Sequence, residues 1–282
     1  MAIKIAAWNT ENRLAYYLPG SRGTPTKILE GIRKLDADII VLPEAYVNAP
    51  ASGADELLKT MGYSWEDVRY DDKDREEEVA RWGFPYMRVL WRIPVRSVTL
   101  QRWGDVRSLM TLVATDPETK REIQIIGTHL EDRSEALRLK QLDEIVPFIQ
   151  ASKFPVVMLG DFNAMWHEKG ARILASRSVR QLARALPEGD LHSTATRLSD
   201  MATGKVMKRL RDEAGLHDSD RRHRPTTTPK MRHMSFMPSI RLAQIDHILA
   251  SKEVKVSDFR IRPDGGSDHR AISATLYSIR KK

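Results

Sequence analysis

Apolar, strand-like runs that stop at acidic, amide or imidazole side chains constrain the fold of this chain more than any other feature. The first run, residues 2–8, is followed by Asn9 and Glu11, and the second, residues 38–42, is followed by Glu44. Both place a carboxylate directly beyond an apolar segment. Polar side chains at the ends of buried strands are held by a rigid scaffold, and layered sheet proteins build their sites there.

Two more runs repeat this arrangement farther along the chain. Residues 123–127 lead to His129, and residues 155–159 lead to Asp161 and Asn163. An Asp and an Asn after a buried strand also commonly form turns, because their side chains bond to their own backbone. The repetition of the pattern favours a site over a simple turn.

The fifth strand end gathers Asp246 and His247 with Ser267, Asp268 and His269. A carboxylate beside an imidazole can orient the ring and adjust its proton affinity. Five such ends, far apart in sequence, predict one composite site on an α/β or layered sheet fold.

The remaining pattern supplies the helices and strands of such a fold. Helices are predicted from Thr24 and Pro25, an N-cap followed by a proline suited to the first turn, and over residues 54–61 and 133–150. Further strands are predicted over residues 86–91, 97–103, 109–115, 122–127, 243–250, 254–261 and 271–276. We expect a single domain over residues 1–282, with an Arg-rich helical or loop insertion at about 171–239.

Composition narrows the class of protein. The chain has no cysteine, so any metal must be held by oxygen or imidazole. It has no apolar stretch of the ~18 residues that a membrane helix needs, and its first strand begins without a basic and apolar leader. We therefore expect a soluble, cytoplasmic protein without membrane insertion, and nothing in the sequence implies a protein partner.

The positive charge of the chain is concentrated in one block. The net charge is +8, and residues 171–234 alone hold fourteen Lys or Arg against seven Asp or Glu, which gives +7. Such a block suits a polyanionic substrate, because Lys and Arg neutralise phosphates. A solvated helical face is an equally reasonable interpretation of the block taken alone.

The ordered strand ends resemble those of the endonuclease/exonuclease/phosphatase family, which includes the deoxyribonuclease I-like and exonuclease III-like enzymes. The resemblance spans nearly the whole chain and is carried by the segments 8–11, 43–44, 128–130, 160–163, 245–248 and 266–269. It implies a four-layer α/β/β/α sandwich, with two mixed sheets packed face to face under outer helices. It also implies a metal-dependent hydrolase acting on phosphoester bonds.

Phosphate-ester cleavage requires an aligned water, neutralisation of phosphate charge and a protonated leaving group. Glu44 is the first candidate ligand for Mg²⁺, which favours carboxylates, and Glu11 and Asp268 could complete the metal site. Mn²⁺ is a possible substitute. Asp161 could accept a proton from water, while Asn163 donates a hydrogen bond to the phosphate.

The other predicted site residues are two histidines, an acid, an amide and an arginine. Asp246 is expected to orient His269, and the resemblance makes His129 the second catalytic imidazole. Asn9 and, by resemblance, Arg107 would contact phosphate. Related enzymes pair the equivalent of His129 with an acid, but residues 83–91 contain none, so His129 is either a paired acid/base or only a hydrogen-bond donor.

Substrate choice stays open at this stage. A DNA or RNA nuclease is the first expectation, with nucleic acid as the substrate. Inositol phosphates, phospholipids and 5′-tyrosyl DNA ends are alternatives, because the family's active site serves all of them. A catalytically silent nucleic-acid-binding module is an alternative of another class. Trp166 and His167 could stack on a base or sugar, or could pack at the rim of the site.

Overall fold

The computed structural model describes residues 2–11, 24–45, 53–68, 87–103, 106–132, 134–174, 196, 198–227, 243–263 and 265–278. The strands are β1 (Ile3–Ala7), β2 (Ile39–Leu42), β3 (Ser64–Val68), β4 (Met87–Trp91), β5 (Val95–Trp103), β6 (Val106–Thr115), β7 (Glu122–His129), β8 (Val156–Asp161), β9 (His217–Asp218), β10 (Asp246–Ala250), β11 (Val254–Ile261) and β12 (Ile272–Ser278). The helices are α1 (Thr24–Leu35), α2 (Gly53–Thr60), α3 (Glu135–Gln150), α4 (His167–Leu174) and α5 (Lys205–Asp212).

The strands form two six-stranded sheets that pack face to face. The first has the order β11-β12-β1-β2-β4-β3 and the second the order β5-β6-β7-β8-β10-β9. Buried aliphatic side chains of both sheets, among them Val41 and Leu159, make one continuous core between them. Ile32 of α1 packs on the outer side of the first sheet, and Leu142 of α3 on that of the second. The predicted four-layer α/β/β/α sandwich is therefore confirmed.

Strand direction explains why the site gathers at one edge of the sandwich. Strands β1 and β2 are parallel, and so are β7 and β8, so the carboxyl ends of each pair lie side by side. Strand β10 runs antiparallel to β8, and its first residue, Asp246, is paired with Asp161. From the sequence, Asp246 was expected at a strand end within residues 243–250. The structure corrects this, because Asp246 begins its strand and reaches the same edge by running the other way.

Two strands were absent from the sequence-based prediction. Strand β3 has an alternating pattern of exposed and partly buried side chains, which gives no apolar run to detect. Strand β9 is only two residues long and lies within the region predicted to be helical and loop-like. Both are outermost in their sheets, where one neighbouring strand is enough to hold them. Edge strands of this kind carry little sequence signal.

A tight turn joins β6 and β7. Asp116 is buried, and its Oδ1 accepts hydrogen bonds from the backbone N–H groups of Glu118 and Thr119. Helix α3 starts two residues later than predicted, because Ser134 caps it by accepting a hydrogen bond from the N–H of Leu137.

The Arg-rich segment at 171–239 is only partly described. Residues 175–195 and 228–239 lie outside the described residues, as does 197. The described part contains α5 and β9, so it is not only helix and loop. Among the described residues, no helix combines the length and apolar character needed to cross a membrane.

Candidate active site

Gly160 allows β7 and β8 to place His129 directly beside Asp161. Its φ is +140°, and a Cβ at this position would lie 2.0 Å from the backbone oxygen of Thr128. A side chain there would force the strands apart. With glycine the ladder continues to its end, where His129 and Asp161 are register partners.

Asn9 connects the two halves of the site. Its Nδ2 donates to Glu44 Oε1 at 2.9 Å and to Asp161 Oδ2 at 3.0 Å, so both amide hydrogens are directed at carboxylates. Its Oδ1 accepts a hydrogen bond from the N–H of Glu11 at 3.0 Å. The buried amide therefore fixes three acids relative to one another. Its predicted role as a phosphate ligand stays a prediction.

Three residues of the site have left-handed backbone conformations. The φ angles are 49° at Glu11, 52° at Glu44 and 48° at Asn163. Each residue lies just beyond a strand, so the chain turns sharply where the strand stops.

Asp161 is the buried centre of the site. Its side chain is only 1% exposed, and its Oδ1 accepts a hydrogen bond from the N–H of Asn163 at 2.9 Å. Burial raises the pKa of Asp161 to about 7, although the nearby His269 acts in the opposite direction. A carboxyl group with such a pKa can take up or release a proton near neutral pH.

Asp246 and His269 form a buried pair. The Nδ1 atom of His269 lies 2.9 Å from Asp246 Oδ2 and 3.1 Å from Oδ1. Burial disfavours the charged ring, but Asp246 and Asp161 more than offset this and raise the pKa of His269 well above its ordinary value. The pairing directs Nε2 toward Asp161 Oδ2, 3.8 Å away, so the ring presents a proton to the centre of the site.

His129 approaches Asp161 from the neighbouring strand. Its Nε2 lies 3.7 Å from Asp161 Oδ2 and 3.7 Å from Glu44 Oε1, and its side chain is 2% exposed. A partner acid for His129 was sought in residues 83–91. The described part of that segment, residues 87–91, contains no carboxylate. Asp161 and Glu44, the two acids near the ring, both belong to the site itself.

The predicted metal ligands lie near the mouth of the site. The side chains of Glu44 and Asp268 are 26% and 37% exposed, in contrast to the buried Asp161. The N–H of Asp268 donates to Glu11 Oε2 at 3.3 Å. Burial, opposed by His269 and assisted by the charge of Glu11, raises the pKa of Asp268. Crowded carboxylate oxygens of this kind fit a hard divalent cation, whose charge would relieve their repulsion.

A second, more buried group could also hold a metal. Ligand atoms of Asp161, Asp246 and His269 lie within 4.8 Å of one another. The Nδ1 side of His269 is already directed at Asp246, and this contact ties two of the three groups together. Glu11, Glu44 and Asp268 do not come as close together as this, so their assignment to the metal stays a prediction, favoured by the preference of Mg²⁺ for oxygen ligands.

The contacts made by several supporting residues were not predicted from the sequence. Ser267 Oγ donates to the backbone oxygen of Asn9 at 2.8 Å and accepts from the N–H of His269 at 3.1 Å, so it ties the last loop to the first strand. Thr226 Oγ1 accepts from the N–H of Asp246 at 3.3 Å, so this threonine holds the start of β10. Gln141 of α3 accepts from the N–H of Glu131, two residues after His129. Such partners have no signal in a single sequence, because each contact joins distant segments.

Three further residues were predicted to contact the substrate. Arg107 belongs to β6, but its side chain is outside the described part. Trp166 donates from Nε1 to Asp218 Oδ2 at 2.8 Å, so its indole ring is fixed at the rim. His167 is exposed at the start of α4.

A third buried histidine, His247, has a structural role. Nδ1 of His247 lies 2.9 Å from Asp218 Oδ2 and its Nε2 lies 2.9 Å from the backbone oxygen of Ala164. Both neighbours are acceptors, so the ring donates to both only when both its nitrogens carry hydrogen and it is a cation. Burial disfavours that cation, but Asp218 more than compensates and raises the pKa of His247.

We expect His247→Leu to lower the free energy of unfolding by about 3–5 kcal/mol at pH 6, because it leaves Asp218 buried without its cation. Folding raises the pKa of His247, so this stabilisation is complete below the unfolded value of about 6.5 and is lost as pH rises through the folded value. Urea denaturation of both proteins at pH 6 and pH 9 measures the difference. A difference that did not shrink at pH 9 would contradict the ion pair, and the exposed His217→Leu is the control.

Solved structures of similar fold share little sequence with this chain. The human Nocturnin catalytic domain with bound sulfate has a TM-score of 0.63 at 17% identity, covering 98% of this chain and 94% of that one. An endonuclease/exonuclease/phosphatase from Beutenbergia cavernae has a TM-score of 0.61 at 20% identity, covering 99% and 72%. The 3′ phosphatase NExo from Neisseria, bound to a product DNA hairpin, has a TM-score of 0.61 at 18% identity, covering 97% and 98%.

The sequence itself matches a family profile. No curated protein sequence matches the chain significantly. The profile of the Endonuclease/Exonuclease/phosphatase family matches residues 6–269, which contain every strand end described above. The chain therefore belongs to the Endonuclease/Exonuclease/phosphatase family, whose members are phosphoester-hydrolysing enzymes.

Proposed function

We propose that this protein is a Mg²⁺-dependent phosphodiesterase that hydrolyses nucleic acid. The observation that carries the proposal is the position of the Asp161 carboxylate. Its Oδ2 lies 3.7 Å from Nε2 of His129 and 3.8 Å from Nε2 of His269, and it accepts a hydrogen bond from Asn9. A base between two proton donors, with oxygen ligands alongside, has the groups that phosphate-ester hydrolysis needs.

Glu44, Glu11 and Asp268 are the proposed holders of the metal. Mg²⁺ is the proposed ion and Mn²⁺ its substitute, because both suit carboxylate and water oxygens. When bound, the metal would neutralise charge on the phosphate oxygens. Asn9 keeps Glu44 in place through its 2.9 Å hydrogen bond.

The protein side chains are proposed to move the protons. Asp161 accepts a proton from the attacking water as the new bond from oxygen to phosphorus forms. As the bond from phosphorus to the leaving oxygen breaks, His129 donates a proton to that oxygen. His269, held by Asp246, donates a hydrogen bond from Nε2 to a non-bridging phosphate oxygen. Asn163 is the proposed amide donor to the phosphate, beside its hydrogen bond to the oxygen of Leu130.

Charge supports nucleic acid as the substrate. Residues 171–234 carry a net charge of +7, which suits a chain of phosphates. The Neisseria enzyme of similar fold was solved with a DNA hairpin. Inositol phosphates are also densely anionic, and together with phospholipids and 5′-tyrosyl DNA ends they are the substrates to test if nucleic acid is not cleaved.

We expect the purified protein to nick supercoiled plasmid in the presence of Mg²⁺, and to stop when the ion is chelated. Glu44→Gln should raise the Mg²⁺ concentration for half-maximal rate by at least about tenfold, the scale already seen for outer-shell partners of metal ligands. The glutamine can still accept from Asn9, so the loop should keep its place. Gel electrophoresis measures nicking, and calorimetric titration measures Mg²⁺ binding separately.

Glu66→Gln is the matched control, because Glu66 is an exposed acid on β3. An unchanged Mg²⁺ requirement in Glu44→Gln would remove Glu44 from the metal site. Nicking that persists without any divalent metal would contradict the proposed mechanism. Plasmid binding without cleavage in any metal would favour the silent binding module.

A further inference from the structure

A basic cleft lies beside the proposed active site, on the outer side of the second sheet. It has a volume of about 810 Å³ and runs between the start of α4, helix α5 and the segment 217–223. Its size is within the ~300–1,000 Å³ of ligand sites. Its lining contains Trp166 and His167 from the rim of the site, but none of the proposed catalytic, phosphate-binding or metal-binding residues.

The lining of this cleft is strongly cationic. Its charged residues are Lys169, Lys205, Lys208, Arg211 and Arg221 against Glu168 and Asp218. Asp218 is turned inward, since its carboxylate is 4% exposed and holds His247. Its negative charge is therefore already balanced by a buried cation, and it opposes an anion in the cleft only weakly.

Two of the cations are not engaged by acids of the described chain. Lys208 and Arg211 contact Asp212 at 2.6 and 2.7 Å. Among the described residues, Lys169 and Arg221 form no ion pair, and Arg221 is exposed. These two side chains can therefore meet phosphate groups without first breaking a salt bridge.

The cleft also has a fixed aromatic wall. The Trp166 indole is held by its hydrogen bond to Asp218, and the guanidinium of Arg211 lies 5.5 Å from its ring centre. The residue before α5, Gly204, packs closely against the start of α4. A Cβ on Gly204 would lie 2.5 Å from the backbone nitrogen of His167. An immobile aromatic ring among cations is the arrangement that single-strand binding grooves use.

The cleft begins close to the scissile position. Trp166 is three residues after Asn163, so their Cα atoms are at most about 11 Å apart. Phosphates along one strand are spaced by about 3.4 Å of axis, so this distance corresponds to about three nucleotides. A long substrate can occupy the active site and the cleft at once, whereas a minimal phosphodiester can occupy only the active site.

From this arrangement we infer that the cleft binds the phosphate backbone of a nucleic-acid strand a few nucleotides from the bond to be cleaved. The inference rests on the proposed nuclease function and adds a second binding subsite to it. It makes Lys169 and Arg221 determinants of substrate length. They touch the flanking strand and have no part in the chemical step.

The test uses binding and cleavage together. The probe is a fluorescein-labelled single-stranded DNA of about 12 nucleotides, within the ~4–16 nucleotides of known single-strand sites. In an Asp161→Asn background, Lys169→Glu with Arg221→Glu should weaken binding at least about tenfold and lower the slope of log affinity against log salt by about 1.4. In the active protein, the same pair should lower kcat/KM for the oligonucleotide and leave hydrolysis of bis(p-nitrophenyl) phosphate unchanged.

Lys252→Glu with Lys255→Glu is the matched control, since it makes the same charge change on exposed residues near β11. An equal loss in the control pair, or an unchanged salt slope in the cleft pair, would overturn the cleft proposal while leaving the nuclease function in place. A parent protein that neither binds nor cleaves the oligonucleotide would remove both.

Discussion

Asp161→Asn is expected to lower kcat by about 10²–10⁴-fold while the protein stays folded, because it removes the proposed general base. Asparagine has the shape of aspartate and keeps one carbonyl oxygen for the network around Asn9 and Asn163. The buried carboxylate is disfavoured by its surroundings, which is why its pKa is raised to about 7. Losing that charge favours the folded state, but the new NH2 group cannot accept from Asn9 or Asn163, so the melting temperature should change little. Plasmid nicking and thermal unfolding of the same preparation measure the two effects.

Asp116→Asn is the matched control. Asp116 is also buried and also accepts backbone hydrogen bonds, but it lies in the β6–β7 turn away from the site. It should leave kcat unchanged and can only reduce stability. A normal rate in purified Asp161→Asn, or an equal loss of rate in Asp116→Asn, would show that the site has been wrongly placed.

The second large effect is expected at the buried pair of Asp246 and His269. His269→Gln should lower kcat by about 10²–10⁴-fold, because glutamine cannot present a charged donor to the phosphate. Asp246→Asn should lower kcat by a smaller factor, since the ring keeps its place but loses the carboxylate that favours its charged form. Single-turnover cleavage of a labelled oligonucleotide measures the chemical step.

The double variant decides whether the two residues act as one unit. If Asp246 acts only through the His269 ring, the double variant is no slower than His269→Gln alone. If the fold losses in kcat of the two single variants multiply in the double variant, Asp246 has a role independent of His269. His247→Leu supplies the comparison, because it removes the other buried histidine beside a carboxylate and should reduce stability without abolishing turnover.

Much of this site could be predicted from sequence because its residues stand where apolar runs stop. Asn9, Glu44, His129 and Asp161 were each found in this way, and parallel strand pairs do bring them together. The contact between Asp246 and His269 was proposed from residue types and is present at 2.9 Å. The pattern of apolar runs thus gave most of the information about where the site residues lie.

What could not be predicted depends on pairing between distant segments. An apolar run does not indicate the direction of its strand in the sheet. Asp246 was therefore assigned to a strand end although it begins β10. Edge strands such as β3 alternate too weakly to be recognised. Ser267 and Thr226 are ordinary loop residues in the sequence and become part of the site only through contacts with Asn9 and Asp246.

The left-handed backbone at Glu11 and Glu44 bears on how such a chain evolves. A non-glycine residue in that region costs on the order of 1 kcal/mol or more, and glycine escapes most of the cost. At both positions the fold itself would be served better by glycine or asparagine. A lineage that had kept the sandwich only as a binding platform would be free to drift toward those residues. Glutamate at these two positions therefore holds its carboxylate over the site at a cost in stability that glycine would avoid.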